Sequence, residues 1–449
     1  MSFPRYPAYK KSGVEWVGEI PVGWEYCRLR FVAQFNPSKT EISYIPLNEE
    51  VSFLPMEAIG DDGTINLGQK RKISDVQNGY TYFRDMDVIF AKITPCFENG
   101  KGALAQGLLR GIGFGTTELI VARSAPSRVI PEYLLRFFQS DIFRKPAEAS
   151  MYGAGGQKRV SESFVRDFSI PLPPLPEQQA IASFLDRECG KIDALIAEQE
   201  RLIALLAEKR QAVISHAVTK GLNPNAPMKD SGIPWIGMVP EGWKVVKLKH
   251  IGRFFGGAGF PHEFQGNENL ELGFYKVGDL SRSTDGVFMS LAQHTVTYET
   301  AEQLKANVIP RNSILYAKIG AALLLNRRRI SPDKCCIDNN MTAFIPNIPV
   351  HVKWSFWWLS FIDFSRFVKP GTVPSLSEGD QKEIAALLPP DRELDSIIEY
   401  IEANVNRIDL LEKEISRGIF ISKERRAALI SAAVTGKIDV RAQSKALTA

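Results

Sequence analysis

The stretch from Pro171 to Gly221 constrains this chain most. It begins with a proline-rich lead-in, Pro171-Leu172-Pro173-Pro174-Leu175-Pro176-Glu177-Gln178, and continues for roughly forty residues with no further Pro and a single Gly190. Leu185, Ile192, Leu206 and Val213 fall in one row spaced by multiples of seven, and Ile181, Leu195 and Leu202 in a second. The positions between them are mostly Glu, Lys, Arg, Gln and Ala, good helix formers with a polar outer face. Such a segment predicts one helix of roughly 60 Å at about 1.5 Å per residue. Gln199 and Lys209 interrupt the two rows, which argues for register control or a short partner contact over a long homomeric zipper.

The same segment occurs twice. A shift of 216 residues carries Pro173-Pro174 onto Pro389-Pro390, Glu177 onto Glu393 and Lys191-Ile192-Asp193 onto Arg407-Ile408-Asp409. It also carries Lys209-Arg210 onto Arg425-Arg426 and Ala217-Val218-Thr219 onto Ala433-Val434-Thr435, with no gap. The rows recur as Ile401, Ile408, Ile415 and Leu429, with Ile397 and Leu411 in the other. Ahead of each helix stands a matching arm: Trp16-Val17-Gly18-Glu19-Ile20-Pro21-Val22-Gly23-Trp24 and Trp235-Ile236-Gly237-Met238-Val239-Pro240-Glu241-Gly242-Trp243. The order arm, body, long helix therefore runs through the chain two times, and a repeat of this length decides architecture.

The expected class is α+β with an internal two-fold repeat. Its parts are an arm (1–30), a globular body (31–172), a helix (173–220), a linker and second arm (221–249), a second body (250–388), a second helix (389–436) and a frayed tail (437–449). In the first body, Val51–Leu54, Asp87–Ile93 and Leu119–Ala122 read as strands, and Pro131–Ser140 as a surface helix with Pro at its start. Ser313–Ile319 echoes Asp87–Ile93, and Trp354–Phe364 echoes the helix at 131. The indoles of Trp16 and Trp24 are expected to bury against a neighbouring element.

Composition bounds the partners. The net charge of +4 permits nucleic acid without demanding it, and the two bodies carry only about +1 and +2. Cys27, Cys96, Cys189, Cys335 and Cys336 include no Cys-Xaa-Xaa-Cys pair, which reads as reduced thiols in the cytoplasm. No apolar stretch is long enough to cross a bilayer.

No catalytic constellation is legible. Gly153-Ala154-Gly155-Gly156-Gln157-Lys158-Arg159 lacks the ending of a phosphate loop, no Asn/Asp-Pro-Pro-Tyr/Phe amino-methyltransferase signature occurs, and the five His residues have no metal-ligand spacing. What remains are polar contacts. Lys92 and Lys318 follow matching apolar strands. Arg327-Arg328-Arg329 is a dense basic run, with Gln157, Lys158, Arg159 and Lys145 as its counterpart in the first body. Lys and Arg neutralise phosphates, and Gly lets backbone N–H groups approach them. Thr116, Thr117, Asn339 and Asn340 offer donors and acceptors of the kind that read base edges. For each group an ordinary solvated turn is the competing reading.

The two arms, the Pro-Leu-Pro-Pro-Leu-Pro-Glu-Gln lead-in, Lys191-Ile192-Asp193, the Val218-Thr219-Lys220-Gly221 ending and the duplication together resemble the specificity subunit of a type I restriction–modification system over the full length. The second lead-in departs from the pattern: Leu388-Pro389-Pro390-Asp391-Arg392-Glu393 keeps Pro-Pro and Glu but lacks the Glu-Gln pair. The resemblance implies two target-recognition domains, each reading half of an asymmetric bipartite DNA sequence. It implies that the two long helices pair antiparallel as a coiled-coil spacer, and that they dock two methyltransferase subunits and, through the complex, restriction/translocase subunits. S-adenosylmethionine, ATP and Mg²⁺ are then expected in the partners, and this chain is expected to be non-catalytic. A duplicated coiled-coil scaffold that binds protein alone is the alternative.

Overall fold

A computed structural model describes residues 3–14, 18–283, 285–347, 351–368, 371 and 373–442. Four helices organise it: α1 (Pro131–Gln139), α2 (Leu175–Lys220), α3 (Val352–Phe361) and α4 (Asp391–Val434). The chain divides into two compact units, residues 1–201 with 415–449 and residues 202–414, so each long helix belongs partly to both.

The first unit holds a four-stranded antiparallel sheet in the order Ala33–Phe35, Leu119–Ser124, Asp87–Ala91, Gly102–Leu104. The run Asp87-Val88-Ile89-Phe90-Ala91 is buried throughout, because both its faces are covered and alternation is lost. A second sheet orders Lys70–Lys72, Glu50–Leu54, Ile112–Gly115 and Thr81–Arg84, with the middle pair parallel. Helix α1 starts at Pro131 and turns Tyr133, Leu134, Phe137 and Phe138 into the core. The Tyr133 hydroxyl lies 2.8 and 3.1 Å from the Pro171 and Val434 carbonyls, tying the body to the strand Ser169–Leu172 that leads into α2 and to the end of α4.

The second unit repeats this plan. Gly252–Gly256, Met341–Pro346, Ile314–Ala317 and Arg328–Ile330 form the larger sheet, and Thr295–Val296, Leu272–Tyr275 and Cys335–Ile337 the smaller. Again one pair of the smaller sheet, Leu272–Tyr275 with Cys335–Ile337, is parallel. Helix α3 buries Trp354, Trp357 and Trp358, and the indole N–H groups of Trp354 and Trp358 donate to the Leu387 and Ala385 carbonyls at 2.8 and 3.2 Å.

Equivalent contacts recur in both units. Arg136 on α1 pairs with Asp186 at 2.6 Å, and Lys353 on α3 pairs with Glu402 at 2.9 Å, a position 216 residues on. Glu177 accepts from the Tyr6 hydroxyl and Glu393 from the Trp243 indole at 3.0 Å, so each lead-in glutamate holds an aromatic of its arm. Trp24 and Trp243 are buried, and Trp16 lies outside the described residues. Gly436 adopts φ +71°, and a Cβ there would stand 2.4 Å from Pro21, so the arm closes directly on the helix end. Residues 437–442, expected to fray, are packed: Val440 is fully buried and the Asp439 amide donates to the Pro4 carbonyl at 2.8 Å. An apolar side chain with a pocket to enter overrides the polar composition around it.

The long helices run antiparallel. In the first unit Asp193 faces Arg426 while Gln199 faces Gly418, so numbering rises on one helix as it falls on the other. Leu185 and Leu206 lie inward, as do Ile401 and Ile408, while Ile192 is half-buried. The second row packs only in part: Ile181 and Ile397 are buried as read. Leu195, Leu202 and Leu411 are exposed, at 52, 45 and 40%, whereas Cys189, Ile196, Val405 and Ile398 are buried. After Ile192 both spacings offer an apolar residue, Leu195 and Ile196, and the packed face selects the one four positions on, as it does with Cys189 after Leu185 and Val405 after Ile401. Ile397 is buried and Val213, Ile415 and Leu429 are half-buried.

Candidate nucleic-acid interface

Each body gathers its polar candidates where a central strand ends. In the first unit, Lys92 follows the Asp87–Ala91 strand. Its amide donates to the Glu118 carbonyl at 2.8 Å, and its carbonyl accepts from the Val160 amide at 2.9 Å. These two bonds draw the Thr116–Glu118 turn and the glycine-rich loop to one place. The Arg159 guanidinium then grips the Glu118 carboxylate through Nε and Nη2 at 2.9 and 2.7 Å. Hydrogen bonding from Arg159 holds the Glu118 pKa below its ordinary value, with the charge of Lys92 adding to it. Thr117, Gln157 and Lys158 are exposed at this rim, whereas the Thr116 hydroxyl caps its own turn by accepting from the Glu118 amide at 3.2 Å. A Cβ at Gly153 would lie 2.4 Å from the Gln157 carbonyl, so only glycine permits this loop to fold back.

The second unit uses the same device with other residues. The Lys318 amide donates to the Asn340 carbonyl and its carbonyl accepts from the Leu376 amide, both at 2.9 Å. Leu376 occupies the place of Val160 at the 216-residue shift. Asn339 is exposed, and the Asn340 amide donates to Asp338 Oδ1 at 2.6 Å. Each body thus presents a lysine, a polar turn and a loop on one rim.

Three expected residues are placed elsewhere. Arg328 is 2% exposed: it donates to the Ile362 carbonyl at 2.6 Å, and its guanidinium stands 4.1 Å from the centre of the Phe364 ring. It is a core residue, since strand alternation sends it inward where Arg327 is exposed. Arg329 is half-buried and donates to the Arg328 carbonyl at 2.6 Å. Lys145 is exposed on the helix Asp141–Ala149, where it pairs with Asp141 at 2.8 Å.

Sequence reading missed a further basic run, Lys70-Arg71-Lys72, which forms an exposed edge strand with Arg71 3.8 Å above the Phe53 ring. Three successive cations were its signal. Among the described residues no cluster of His, Cys, Asp and Glu could hold a metal ion. The five cysteines are free thiols, and burial pushes Cys336 up to about 11. No described helix is long and apolar enough to cross a membrane.

The family model for the type I restriction modification DNA specificity domain matches residues 21–203 and again 240–418. The specificity subunit of the EcoAI type I restriction enzyme of Escherichia coli is 42% identical over 194 residues, 43% of this chain and 32% of that protein. The match therefore spans about a third of that relative's length. A putative MjaX specificity subunit of Methanocaldococcus jannaschii is 25% identical over 98% of this chain and 99% of its own. A solved structure concerned with complex assembly and conformational transition of the type I R-M system superposes with a TM-score of 0.71 at 17% identity, covering 92% of this chain and 98% of that one, and so shares the fold. With both repeats matched, the chain belongs to the type I restriction modification DNA specificity family.

Proposed function

We propose that this chain is the sequence-reading, non-catalytic subunit of a type I restriction–modification complex in the cytoplasm, each body reading one half of a bipartite DNA target. The observation that carries the reading is the duplicated rim: Lys92 with Thr116, Thr117, Gln157, Lys158 and Arg159 in one body, Lys318 with Asn339 and Asn340 in the other. Same backbone frame and different side chains suit two readers of different half-sites, with lysines for phosphate and Thr, Asn and Gln for base edges. Arg327 and the edge strand Lys70-Arg71-Lys72 are available for further phosphate contact.

The exposed leucines Leu195, Leu202 and Leu411 belong to the docking of two modification subunits, since apolar side chains left outside a helix pair are covered in an assembly. Restriction/translocase subunits join through them, and S-adenosylmethionine, ATP and Mg²⁺ act in those partners. The test is to express the chain with its cognate modification subunit and sequence the DNA for methylated adenines. Two short defined halves separated by a fixed gap are expected. An active, assembled complex with no sequence motif overturns the reading in favour of a protein-only scaffold.

A further inference from the structure

The antiparallel helices place each repeat's aspartate beside the other repeat's arginine. Arg426 Nε lies 2.8 Å from Asp193 Oδ1 in the first unit, and Arg210 pairs with Asp409 in the second. A shift of 216 residues carries Asp193 onto Asp409 and Arg210 onto Arg426, so these are one contact made twice. Neither arginine stops at its aspartate. Arg426 is only 14% exposed, and its Nη2 donates to the Asp62 carbonyl at 3.1 Å. Arg210 Nη2 stands 3.6 Å from where a Cβ of Gly286 would be.

The two turns reached are topologically the same. Asp62-Gly63 follows the strand Glu50–Leu54 and the 3-10 turn Met56–Ala58, ahead of the edge strand Lys70–Lys72. Asp285-Gly286 follows the strand Leu272–Tyr275 and the 3-10 turn Val277–Ser281, ahead of the edge strand Thr295–Val296. Each turn is rigid in itself. Asp62 Oδ1 accepts from the Thr64 amide and hydroxyl at 2.9 and 2.6 Å, and Asp285 Oδ1 from the Val287 and Phe288 amides at 2.8 and 2.9 Å. The glycines have φ +100° and +71°.

We infer that Arg426 and Arg210 are positioning residues: Arg426 hydrogen-bonds the Asp-Gly turn of its recognition body and Arg210 stands against the equivalent turn, so each body's orientation follows the helix register. The planar guanidinium suits this, since its Nε edge stands against the aspartate's charge while Nη2 donates to the turn in a fixed direction, two contacts that a single ammonium does not hold together. The inference rests on the DNA-reading function proposed above but has a readout independent of it.

The decisive variant is the exchange Asp193→Arg with Arg426→Asp in the full chain. It restores the ion pair between the helices but leaves no donor for the Asp62 carbonyl. Hydrogen exchange at residues 60–66 is expected to speed up roughly ten-fold or more, the equivalent of one lost charge-assisted hydrogen bond, while thermal melting stays near that of the parent. In the complex with the modification subunit, methylation at the half-site read by the first body falls or loses fidelity by a similar factor, and the other half-site is unchanged. Arg426→Lys gives the same pattern, and Arg210→Gln transfers the loss to the other half-site and to exchange at residues 285–290. If the exchanged pair keeps parental loop protection and parental methylation, the arginine merely joins two helices and the inference fails. If the exchanged pair does not fold, Arg426→Lys and Arg210→Gln decide by the same two readouts. A parent complex without any motif defeats the functional reading instead, and the loop-exchange result still decides the positioning.

Discussion

Arg328 and Lys318, ten residues apart in one body, stand in opposite surroundings, the first in the core and the second at the rim. Arg328 satisfies buried carbonyls and a ring face, so Arg328→Ala leaves those groups unmet and opens a cavity. About 3 kcal/mol of stability is expected to go, seen as a lower urea midpoint with an unchanged slope. Lys318→Ala is expected to leave that midpoint within about 0.5 kcal/mol and to weaken DNA binding across all sequences, lowering the salt slope by about one. In the other body, Glu118 carries a pH dependence. Its folded pKa is depressed by Arg159, so its contribution to loop order is present above the ordinary glutamate value of about 4.3 and is lost as pH falls through the depressed one. Exchange protection at residues 153–158 therefore declines below about pH 4 in the parent, and Glu118→Gln removes that decline by lowering protection at every pH.

The long helices show what a heptad pattern can and cannot tell. Leu185, Leu206, Ile401 and Ile408 were legible as inward residues because their seven-residue spacing is a property of the chain itself. The companion row was legible only in part: Ile181 and Ile397 are buried, but after Ile192 the residues three and four positions on are equally apolar and only the covering surface chooses between them. Adjacent residues measure the difference. Ile196→Ala is expected to cost about 2 kcal/mol or more in unfolding free energy, while Leu195→Ala costs under about 0.5 and weakens capture of the modification subunit. Gly418 is a further case. A Cβ there meets only the end of the flexible Gln199 side chain, at 2.8 Å from Nε2. Gly418→Ala is therefore expected to stabilise the chain by up to about 1 kcal/mol through helix propensity, a rise of a few degrees in melting temperature.

At the scale of the whole molecule, the duplication makes the two readers separable. Replacing residues 31–170 by the matching segment of a relative is expected to change one half of the methylated motif and leave the other half and the gap intact, read directly from modified DNA. The small charge of each body is consistent with a division of labour in which partner subunits neutralise part of the phosphate backbone, so the complex is expected to show a steeper salt dependence than this chain alone.

The sequence by itself determined the two-fold plan, the extent of both long helices, the main strands and the family, because repeats, periodicity and turn chemistry are local to the chain. Tertiary structure alone decided that Leu195 faces out and Ile196 in, that Arg328 belongs to the core and Arg327 to the surface, that Val440 is packed and not frayed, and that Asp193 meets Arg426 across more than two hundred residues of sequence. The reason is physical. Periodicity says which residues share a face, but the free energy of that face is set by whatever element comes to cover it.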